Sequence, residues 1–407
     1  MFNVKSVDEV IKIINDNFED YNVENEEIDI LEAVNRVTAE NFIAHEDIPG
    51  FNRSSVDGYA VISSDTFGAS EALPAQLELI GEVKMGEKPE FLLQSGQTVY
   101  IPTGGELPVN ADSVVMIEYT EYYEDGFIYI NKAAAPGNNV VFKGDDTKVG
   151  NIAVKANISL RPQDIGILAV LGYDLVKVKR KIRVGIISTG DEIIDISKKP
   201  EGSQVRDVNS YSLYAGLVNY SAEPKLYGII NDDYVRLRYT LETAIQECDV
   251  VLISGGSSVG NKDETYKVIS SLNDSQILVH GIAVKPGKPT ILAKIGNKAV
   301  IGLPGHPASA YMIFQIFVCY LMDVINATKR EIVKTVKAVM SSNYPSNNGR
   351  EEFLLVRVEN ENGSKAAYPV FGKSGLITTL TMADGFVHIG RNLEGISKGK
   401  EVEVKLF

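Results

Sequence analysis

The feature that most constrains the fold of this chain is an alternation of apolar and helical segments in residues 178–327. Runs rich in Val, Ile and Leu, such as IRVGIIST (182–189) and VVLIS (250–254), are separated by segments with helical spacing. Strands that are apolar throughout are buried on both faces, and helical connections place such strands parallel to one another. The alternation therefore predicts a doubly wound α/β domain with a mostly parallel central sheet.

Both flanking regions have a different pattern. Residues Ser6 to Glu9 form a capping box that predicts an opening helix over about residues 6–18, and residues 28–40 have the spacing of a second amphipathic helix. Short β-rich runs separated by Gly, Pro and Asn fill residues 42–160, and similar runs after residue 330 predict a small barrel. We expect two discontinuous helical and β-rich lobes in residues 1–177, the α/β domain in 178–327 and a C-terminal β-barrel domain in 328–407.

Charge and cysteine content exclude several functional classes. The 407 residues have a formal net charge of −14. Such a field repels polyanions, so we expect neither nucleic acid nor an anionic membrane as a partner. The two cysteines, Cys248 and Cys319, lie in apolar stretches and indicate a reducing compartment. The N-terminus does not resemble a signal peptide, and the apolar run 311–322 is too short to span a bilayer, so we expect a cytoplasmic protein.

Each predicted strand of the α/β domain is followed by small or charged residues. Ligands bind outside the carboxyl ends of the strands in open α/β sheets. The clusters are STGDE (188–192), NDD (231–233), SGGSSVG (254–260), KPGKP (285–289, after a predicted strand 276–284) and PGHP (304–307). Singly, NDD can cap a helix, KPGKP can form a rigid double turn, and GGSSVG lacks the spacing of known phosphate loops. Their convergence on one sheet edge predicts a functional site.

The cluster after residue 254 has residues suited to a phosphate. Glycine lets a ligand approach the backbone N–H groups closely, and serine adds hydroxyl donors. The candidate cofactor-binding residues here are Ser254, Gly255, Gly256, Ser258 and Gly260. They predict contact with a phosphate-bearing ligand.

Acidic and basic side chains accompany this loop. A carboxylate beside an anion site is repulsive unless a cation lies between them, so Asp232 and Asp263, with Glu192, predict a Mg²⁺ site. Lys285 and Lys288 supply the positive charge that a second, compact oxyanion needs. None of the four histidines has metal-ligand spacing or a motif-level Ser or Cys partner. The residues therefore indicate metal-assisted transfer at phosphate rather than covalent catalysis.

Ten segments in the right order resemble the molybdopterin molybdenumtransferase family, which includes the C-terminal domain of gephyrin. They include SSVDGYA (54–60), FKGDD (142–146), GGSSVGNKDET (255–265), VKPGKPT (284–290) and GLPGHPASA (302–310), and the resemblance extends over essentially the whole chain. It implies a central α/β domain, two N-terminal lobes and a C-terminal β-barrel. It also implies a homodimer whose site lies between the α/β domain of one subunit and an N-terminal lobe of the other.

The same resemblance implies the reaction and the residues that perform it. The expected activity inserts molybdenum from molybdate into adenylylated molybdopterin, with Mg²⁺-dependent release of AMP. The implied catalytic acids and hydroxyl are Asp57, Thr103, Asp146, Glu192, Asp232 and Asp263, with Asp232 and Asp263 holding the metal. Molybdate is expected near Lys285, Lys288, Ser309, Arg350 and Ser374.

The chain also departs from the family, and other functions compete. It has His306 where the family commonly has asparagine, Val56 in place of methionine, and only Phe142-Lys143 where arginines are common. An adenylyltransferase is an alternative, but it would need only the α/β domain. A non-catalytic molybdopterin-binding scaffold is another, although it would not need carboxylates in an anion site. Molybdate and tungstate are nearly identical in charge and size, so a tungsten-inserting homologue stays open. The identity of the apo-enzymes that receive the cofactor stays open as well.

Overall fold

The computed structural model describes residues 4–255, 264–328, 334–347, 349–361 and 363–407. The chain divides into two compact units, which we call the larger and the smaller unit. The larger unit contains Met1–Ala39, Asn157–Arg161 and Val176–Phe407, and the smaller unit contains Glu40–Ala156 and Pro162–Leu175.

A six-stranded sheet forms the centre of the larger unit. In sheet order, its strands are Glu223–Ile230, Arg183–Thr189, Val250–Ser254, Lys298–Leu303, Ile291–Ile295 and Ser275–His280. The first four strands are parallel to one another, whereas Ile291–Ile295 is antiparallel to both of its neighbours. That strand reverses because only Gly296 and Asn297 connect it to the next strand, and Gly296 has a φ of 59°. The predicted mostly parallel sheet is confirmed.

Helices cover both faces of this sheet. Successive side chains of a strand point to opposite faces. Ile186 accordingly belongs to the apolar core that contains Leu213 and Met312, whereas Ile187 belongs to the core that contains Leu237 and Val268. The helices of the larger unit are Val7–Phe18, Asn209–Asn219, Tyr234–Glu247, Glu264–Ser270, the continuous helical segment Pro307–Ile325 and the short Thr378–Thr381. The doubly wound arrangement follows from this division of the apolar side chains between two cores.

The segment Pro307–Ile325 is the one helix in the described part of the chain that is long and apolar enough to cross a membrane. It has 19 residues, so the prediction from the run 311–322 that this segment is too short to span a bilayer is wrong. However, 67% of its most apolar window is buried inside the protein. Met312, Phe314 and Leu321 pack into the core on one face of the central sheet. Such burial is typical of a core helix.

A buried carboxylate anchors the start of the strand Val250–Ser254. Asp249 accepts hydrogen bonds from the Tyr21 hydroxyl at 2.5 Å, from both terminal nitrogens of Arg180 at 2.7 and 2.8 Å, and from the Arg183 N–H at 2.8 Å. Burial acts to raise the pKa of Asp249, but the hydrogen bonds from Arg180, Tyr21 and Arg183 outweigh it and hold that pKa below its ordinary value. Asp249 is therefore ionised in the fold and joins three separate segments.

Two predicted elements of the larger unit are wrong. Residues 28–40 do not form a helix: Asn25–Asp29 is a strand paired with Leu175–Lys179, and only the 3₁₀ turn Ile30–Glu32 follows. Leu31 and Val34 are exposed, whereas Ala33 and Val37 are buried, so the apolar residues do not form one buried helical face. The predicted opening helix is confirmed as Val7–Phe18, and its capping box between Ser6 and Glu9 is present.

The single strand predicted at 276–284 is also wrong, because two strands from different sheets occupy that region. Ser275–His280 belongs to the central sheet, whereas Val284–Lys285 pairs with the start of Glu351–Glu361 in a second sheet. The break occurs at Gly281, whose φ of 97° favours glycine.

That second sheet closes into the expected C-terminal barrel. Its strands, in sheet order, are Val284–Lys285, Glu351–Glu361, Ser364–Pro369, Thr335–Met340, Glu401–Leu406 and Gly385–Ile389. Gly385–Ile389 also pairs with Glu351–Glu361, and this pairing closes the five longer strands into a ring. Two-stranded pairs complete the larger unit: Ile193–Ile194 with Val205–Arg206, and Tyr344–Pro345 with Gly395–Ile396.

The smaller unit is β-rich, as predicted for the N-terminal region. Its main sheet consists, in order, of Ser113–Met116, Gly58–Val61, Gln97–Ile101, Ala75–Glu82, Phe127–Ile130 and Thr120–Tyr122. Shorter elements are the pairs Arg53–Ser54 with Val140–Val141 and Phe42–Ile43 with Ile152–Val154, the 3₁₀ turns Ser63–Thr66 and Ile117–Tyr119, and the helix Pro162–Val170. Two small apolar cores, one including Val61 and Ile128 and the other including Val99 and Leu93, stabilise this unit.

Candidate functional site

The structure brings the strand-end clusters of the central sheet to one edge. Ser188, Ser254 and Leu303 lie in register on three neighbouring parallel strands, and Ile230 lies beside Thr189 on a fourth. The segments that follow these residues therefore leave the sheet at the same place. The convergence that the sequence predicted is present for these four strands.

A buried asparagine links two of these segments. The Asn209 side-chain N–H groups donate to the Ser254 hydroxyl and to the Gly305 carbonyl, each at 2.8 Å. Gly255 has a φ of 108°, and a Cβ there would lie 2.0 Å from the Thr189 carbonyl oxygen, so no other residue fits. Sequence reasoning missed Asn209, because an asparagine that begins a helix has no distinctive pattern. The predicted residues Gly256, Ser258, Gly260 and Asp263 lie outside the described residues.

Acidic side chains gather beside this edge. Asp191 accepts hydrogen bonds from the Asn231 side chain at 3.2 Å and from the Asp232 N–H at 3.1 Å, and Asp232 accepts one from Thr189 at 3.3 Å. Partial burial raises the pKa of Asp232, the Thr189 hydrogen bond opposes this, and the charges of Asp191, Glu192 and Glu264 raise it further.

This donor set fits a divalent cation. Carboxylates that repel one another are relieved by a hard cation, which prefers oxygen ligands and retains water or substrate oxygens as further ligands. Among the described residues, no three acidic, histidine or cysteine side chains form a ready-made metal site. The chemistry of the oxygen donors at this edge suits a hard divalent cation such as Mg²⁺.

A cavity of about 830 Å³ lies where the central sheet meets the barrel within the larger unit. Five predicted oxyanion residues line it together: Lys285, Lys288, Ser309, Arg350 and Ser374. Lys373 and Glu352 also line it and were not predicted. KPGKP reaches this cavity because it leads into the antiparallel strand Ile291–Ile295, which begins at the same sheet edge where the parallel strands end.

Lys285 is held by the barrel. Its ammonium lies 2.6 Å from the Glu352 carboxylate, which also accepts hydrogen bonds from the Tyr344 hydroxyl at 2.8 Å and the Ser346 hydroxyl at 2.6 Å. Burial acts to raise the pKa of Glu352, but the hydrogen bonds from Lys285, Ser346 and Tyr344 outweigh it and hold that pKa below its ordinary value. Glu352 is therefore a charged group in the wall of a largely cationic cavity.

His306 and Ser374 form a second contact across the cavity wall. His306 lies immediately before Pro307, and its Nδ1 is 2.9 Å from the Ser374 hydroxyl oxygen. The Ala308 N–H donates to the Ser374 carbonyl at 3.0 Å, so the loop of Ser374 is attached to the start of this helix. Ser309 is buried in the first turn of the same helix. This histidine, which has no motif-level Ser partner in the sequence, thus contacts a predicted oxyanion residue directly.

The smaller unit contains the remaining predicted residues. Asp57 accepts hydrogen bonds from the N–H of Thr103 at 2.8 Å and from its hydroxyl at 3.1 Å, so the structure brings these two residues together. Asp146 is exposed on another loop, where its N–H donates to the Ile48 carbonyl at 3.0 Å. Both Asp57 and Asp146 are thus surface carboxylates in this unit.

Comparison with known proteins identifies the family. Residues 5–172 match the family model "MoeA N-terminal region (domain I and II)", residues 185–323 match "Probable molybdopterin binding domain", and residues 337–407 match "MoeA C-terminal region (domain IV)". A putative molybdopterin biosynthesis protein of Methanocaldococcus jannaschii is 35% identical, over 97% of this chain and 96% of that protein. The molybdopterin molybdenumtransferase of Bacillus subtilis is 31% identical, over 94% of this chain and 90% of that enzyme. The chain belongs to the molybdopterin molybdenumtransferase family.

A solved structure agrees with this assignment. The molybdopterin biosynthesis MoeA protein of Pyrococcus horikoshii is 33% identical and has a TM-score of 0.86, with 100% of both chains covered. Family membership confirms the resemblance seen in the sequence and the expected multidomain α/β architecture. It places the protein among the enzymes of molybdenum-cofactor biosynthesis.

Proposed function

We propose that this protein is a molybdopterin molybdenumtransferase that inserts molybdenum from molybdate into adenylylated molybdopterin and releases AMP. The observation that carries the proposal is the cavity in which Lys285, Lys288, Ser309, Arg350 and Ser374 meet. Three cations and two hydroxyl groups around one space suit a compact tetrahedral dianion, because charge-assisted hydrogen bonds to oxyanions are the strong ones. A molybdate in this cavity would be oriented by these side chains.

The pyrophosphate group is expected near the acidic edge of the central sheet. Asp232 and Asp263 would hold Mg²⁺ with Glu192 nearby, and the bound ion would supply positive charge to the pyrophosphate oxygens. Ser254 and the glycines that follow it would orient the phosphates through hydroxyl and backbone N–H donors. These residues would position the substrate so that water adds to one phosphorus of the pyrophosphate and AMP leaves, while the two dithiolene sulfurs replace oxygens of molybdate, which leave as water.

The oligomer and the setting are part of the same proposal. The protein is proposed to act in the cytoplasm as a homodimer, with Asp57, Thr103 and Asp146 of one subunit completing the site of the other. Nucleic acid and membranes have no role in it, in keeping with the net charge of −14. We retain as part of the proposal the domains predicted from the sequence: the N-terminal lobes in 1–177, the α/β domain in 178–327 and the barrel domain in 328–407.

The relatives favour turnover over a scaffold, because the Bacillus subtilis protein that matches over 94% of this chain has the name of an enzyme. To test turnover, purified protein is mixed with adenylylated molybdopterin and Mg²⁺, with molybdate, with tungstate or with neither, and AMP is measured. We expect oxyanion-dependent AMP release, and the ratio of the two rates identifies the working oxyanion.

Two variants make this test specific. Lys288→Ala should lower the apparent oxyanion affinity by roughly tenfold or more, since a hydrogen bond to a charged group contributes about 1.5–3 kcal/mol. Lys337→Ala, a barrel lysine paired with Glu401 at the surface, is the matched control and should behave as wild type. Absence of AMP with every oxyanion, from folded protein that binds the pterin nucleotide, would contradict the proposal.

A further inference from the structure

Glu352 has a charge opposite to the one an oxyanion cavity needs. Its side chain is 4% exposed, and it lines the same cavity as the cations Lys285, Lys288, Arg350 and Lys373. A buried carboxylate near a bound dianion repels it, and the repulsion is strong where water is largely excluded. A carboxylate at this position therefore needs a function that compensates for weaker binding of the oxyanion.

The contacts of Glu352 show what it does to its neighbour. One carboxylate oxygen lies 2.6 Å from the Lys285 ammonium and also accepts from Tyr344, while the other accepts from Ser346. The backbones are joined as well, because Lys285 and Glu352 are partners in the parallel pairing of Val284–Lys285 with the barrel. Lys285 is thus fixed at both its backbone and its ammonium, although 42% of its side chain is exposed.

Lys288 provides a comparison within the same loop. Both lysines line the cavity, but in the described part of the chain an ion pair is present only for Lys285. A lysine side chain has several rotatable bonds, and holding its ammonium in one place requires a partner. Glu352 therefore holds one particular cation in place, in addition to lowering the net positive charge of the cavity.

We propose that Glu352 is a positioning residue that fixes the Lys285 ammonium for molybdenum transfer, at the expense of weaker oxyanion binding. This inference rests on the proposed function and names a part of the site that the family resemblance did not assign. Its consequence is a separation of binding from turnover. Neutralising Glu352 leaves the ammonium uncompensated but mobile, so the oxyanion binds more tightly while the transfer becomes slower.

The test is the variant Glu352→Gln, which keeps the size of the side chain and one acceptor oxygen, so that either Tyr344 or Ser346 can still donate to it, while an amide NH₂ group replaces the other carboxylate oxygen. We expect molybdate, titrated calorimetrically, to bind roughly threefold or more tightly, because one repulsive charge is removed. We expect kcat for AMP release to fall by about tenfold or more, since a displacement of about 1 Å can cost up to about 100-fold. The matched control is Glu359→Gln on the same strand, whose carboxylate pairs with Arg357 at the surface; it should change neither quantity.

A double-mutant comparison shows whether Glu352 acts through Lys285. In a Lys285→Ala background, Glu352→Gln should have little further effect on kcat, because the group that Glu352 positions is absent. An equal loss in both backgrounds, or weaker molybdate binding by Glu352→Gln, would overturn the inference. If Glu352→Gln does not fold, Ser346→Ala is used: it loosens the carboxylate without changing its charge and should lower kcat with molybdate affinity unchanged.

The wild-type protein separates this inference from the proposed function. If wild-type protein neither binds molybdate nor releases AMP, the proposed function fails, and the inference that depends on it fails too. If wild-type protein does both and Glu352→Gln matches it in affinity and kcat, only the positioning role is refuted.

Discussion

Neutralising Asp232 is expected to stabilise the metal-free protein and to inactivate it. Asp191, Glu192 and Glu264 all repel the charge of Asp232 and raise its pKa, after the larger effect of partial burial. Asp232 is only partly buried, so solvent screens this repulsion, and Asp232→Asn should raise stability by only about 0.5 kcal/mol. That corresponds to roughly 1–2 °C in Tm. AMP release should nevertheless fall by about 10²–10³-fold, as is typical when one electrostatic stabiliser of the transition state is removed.

Scanning calorimetry without and with Mg²⁺, together with the AMP assay, measures both effects. Mg²⁺ should raise the Tm of the wild type more than that of Asp232→Asn, because a ligand stabilises only the state that binds it. The matched control is Asp233→Asn. Asp233 caps the helix Tyr234–Glu247 by accepting from the Val235 and Arg236 N–H groups, and asparagine caps equally well. A less stable Asp232→Asn protein, or one with undiminished AMP release, would refute the reasoning.

Three other changes test separate parts of the account. Asp249→Asn should lower the free energy of unfolding in urea by about 3–5 kcal/mol, because it breaks a buried ion pair. Folding lowers the pKa of Asp249, so its carboxylate should stabilise the wild type above about pH 4, and this stabilisation should disappear as the pH falls further. The stability of the variant should not show this decrease at low pH. His306→Ala should weaken molybdate binding by about three- to tenfold, as one hydrogen bond to Ser374 is lost, whereas an unchanged dissociation constant would exclude the contact from binding. If the site is shared across a dimer, mixing Asp57→Ala protein with Asp232→Ala protein and letting the subunits exchange should restore about a quarter of normal activity. No recovery after verified exchange would mean that Asp57 and Asp232 of the same chain act in one site.

The central sheet could be predicted because its signal is local. Runs such as 182–189 and 250–254 are apolar enough to require burial on both faces, and the helices between them dictate parallel strands. The helix predicted for residues 28–40 was wrong because helical spacing does not reveal a strand partner such as Leu175–Lys179, which lies far away in the chain. Tertiary pairing there outweighs the local preference.

In the candidate site, too, local sequence features could be predicted and contacts between distant residues could not. Lysines and acids at strand ends could be predicted, because parallel topology brings strand ends together. Glu352 and Asn209 could not, since their roles depend on contacts with Lys285, Ser254 and Gly305, all of which are distant in sequence. A carboxylate within a cationic cavity even contradicts the simple expectation that an anion site contains only positive charge.

One measurement tests the central claim most directly. Protein, adenylylated molybdopterin, Mg²⁺ and molybdate are combined for a single turnover, and AMP and pterin-bound molybdenum are quantified in the same samples over time. The account predicts that both products appear together in equal amounts and that neither appears when the oxyanion is omitted. AMP released without molybdenum entering the pterin would reveal a hydrolase, and pterin retained without AMP would reveal a binding protein; either result would contradict the account.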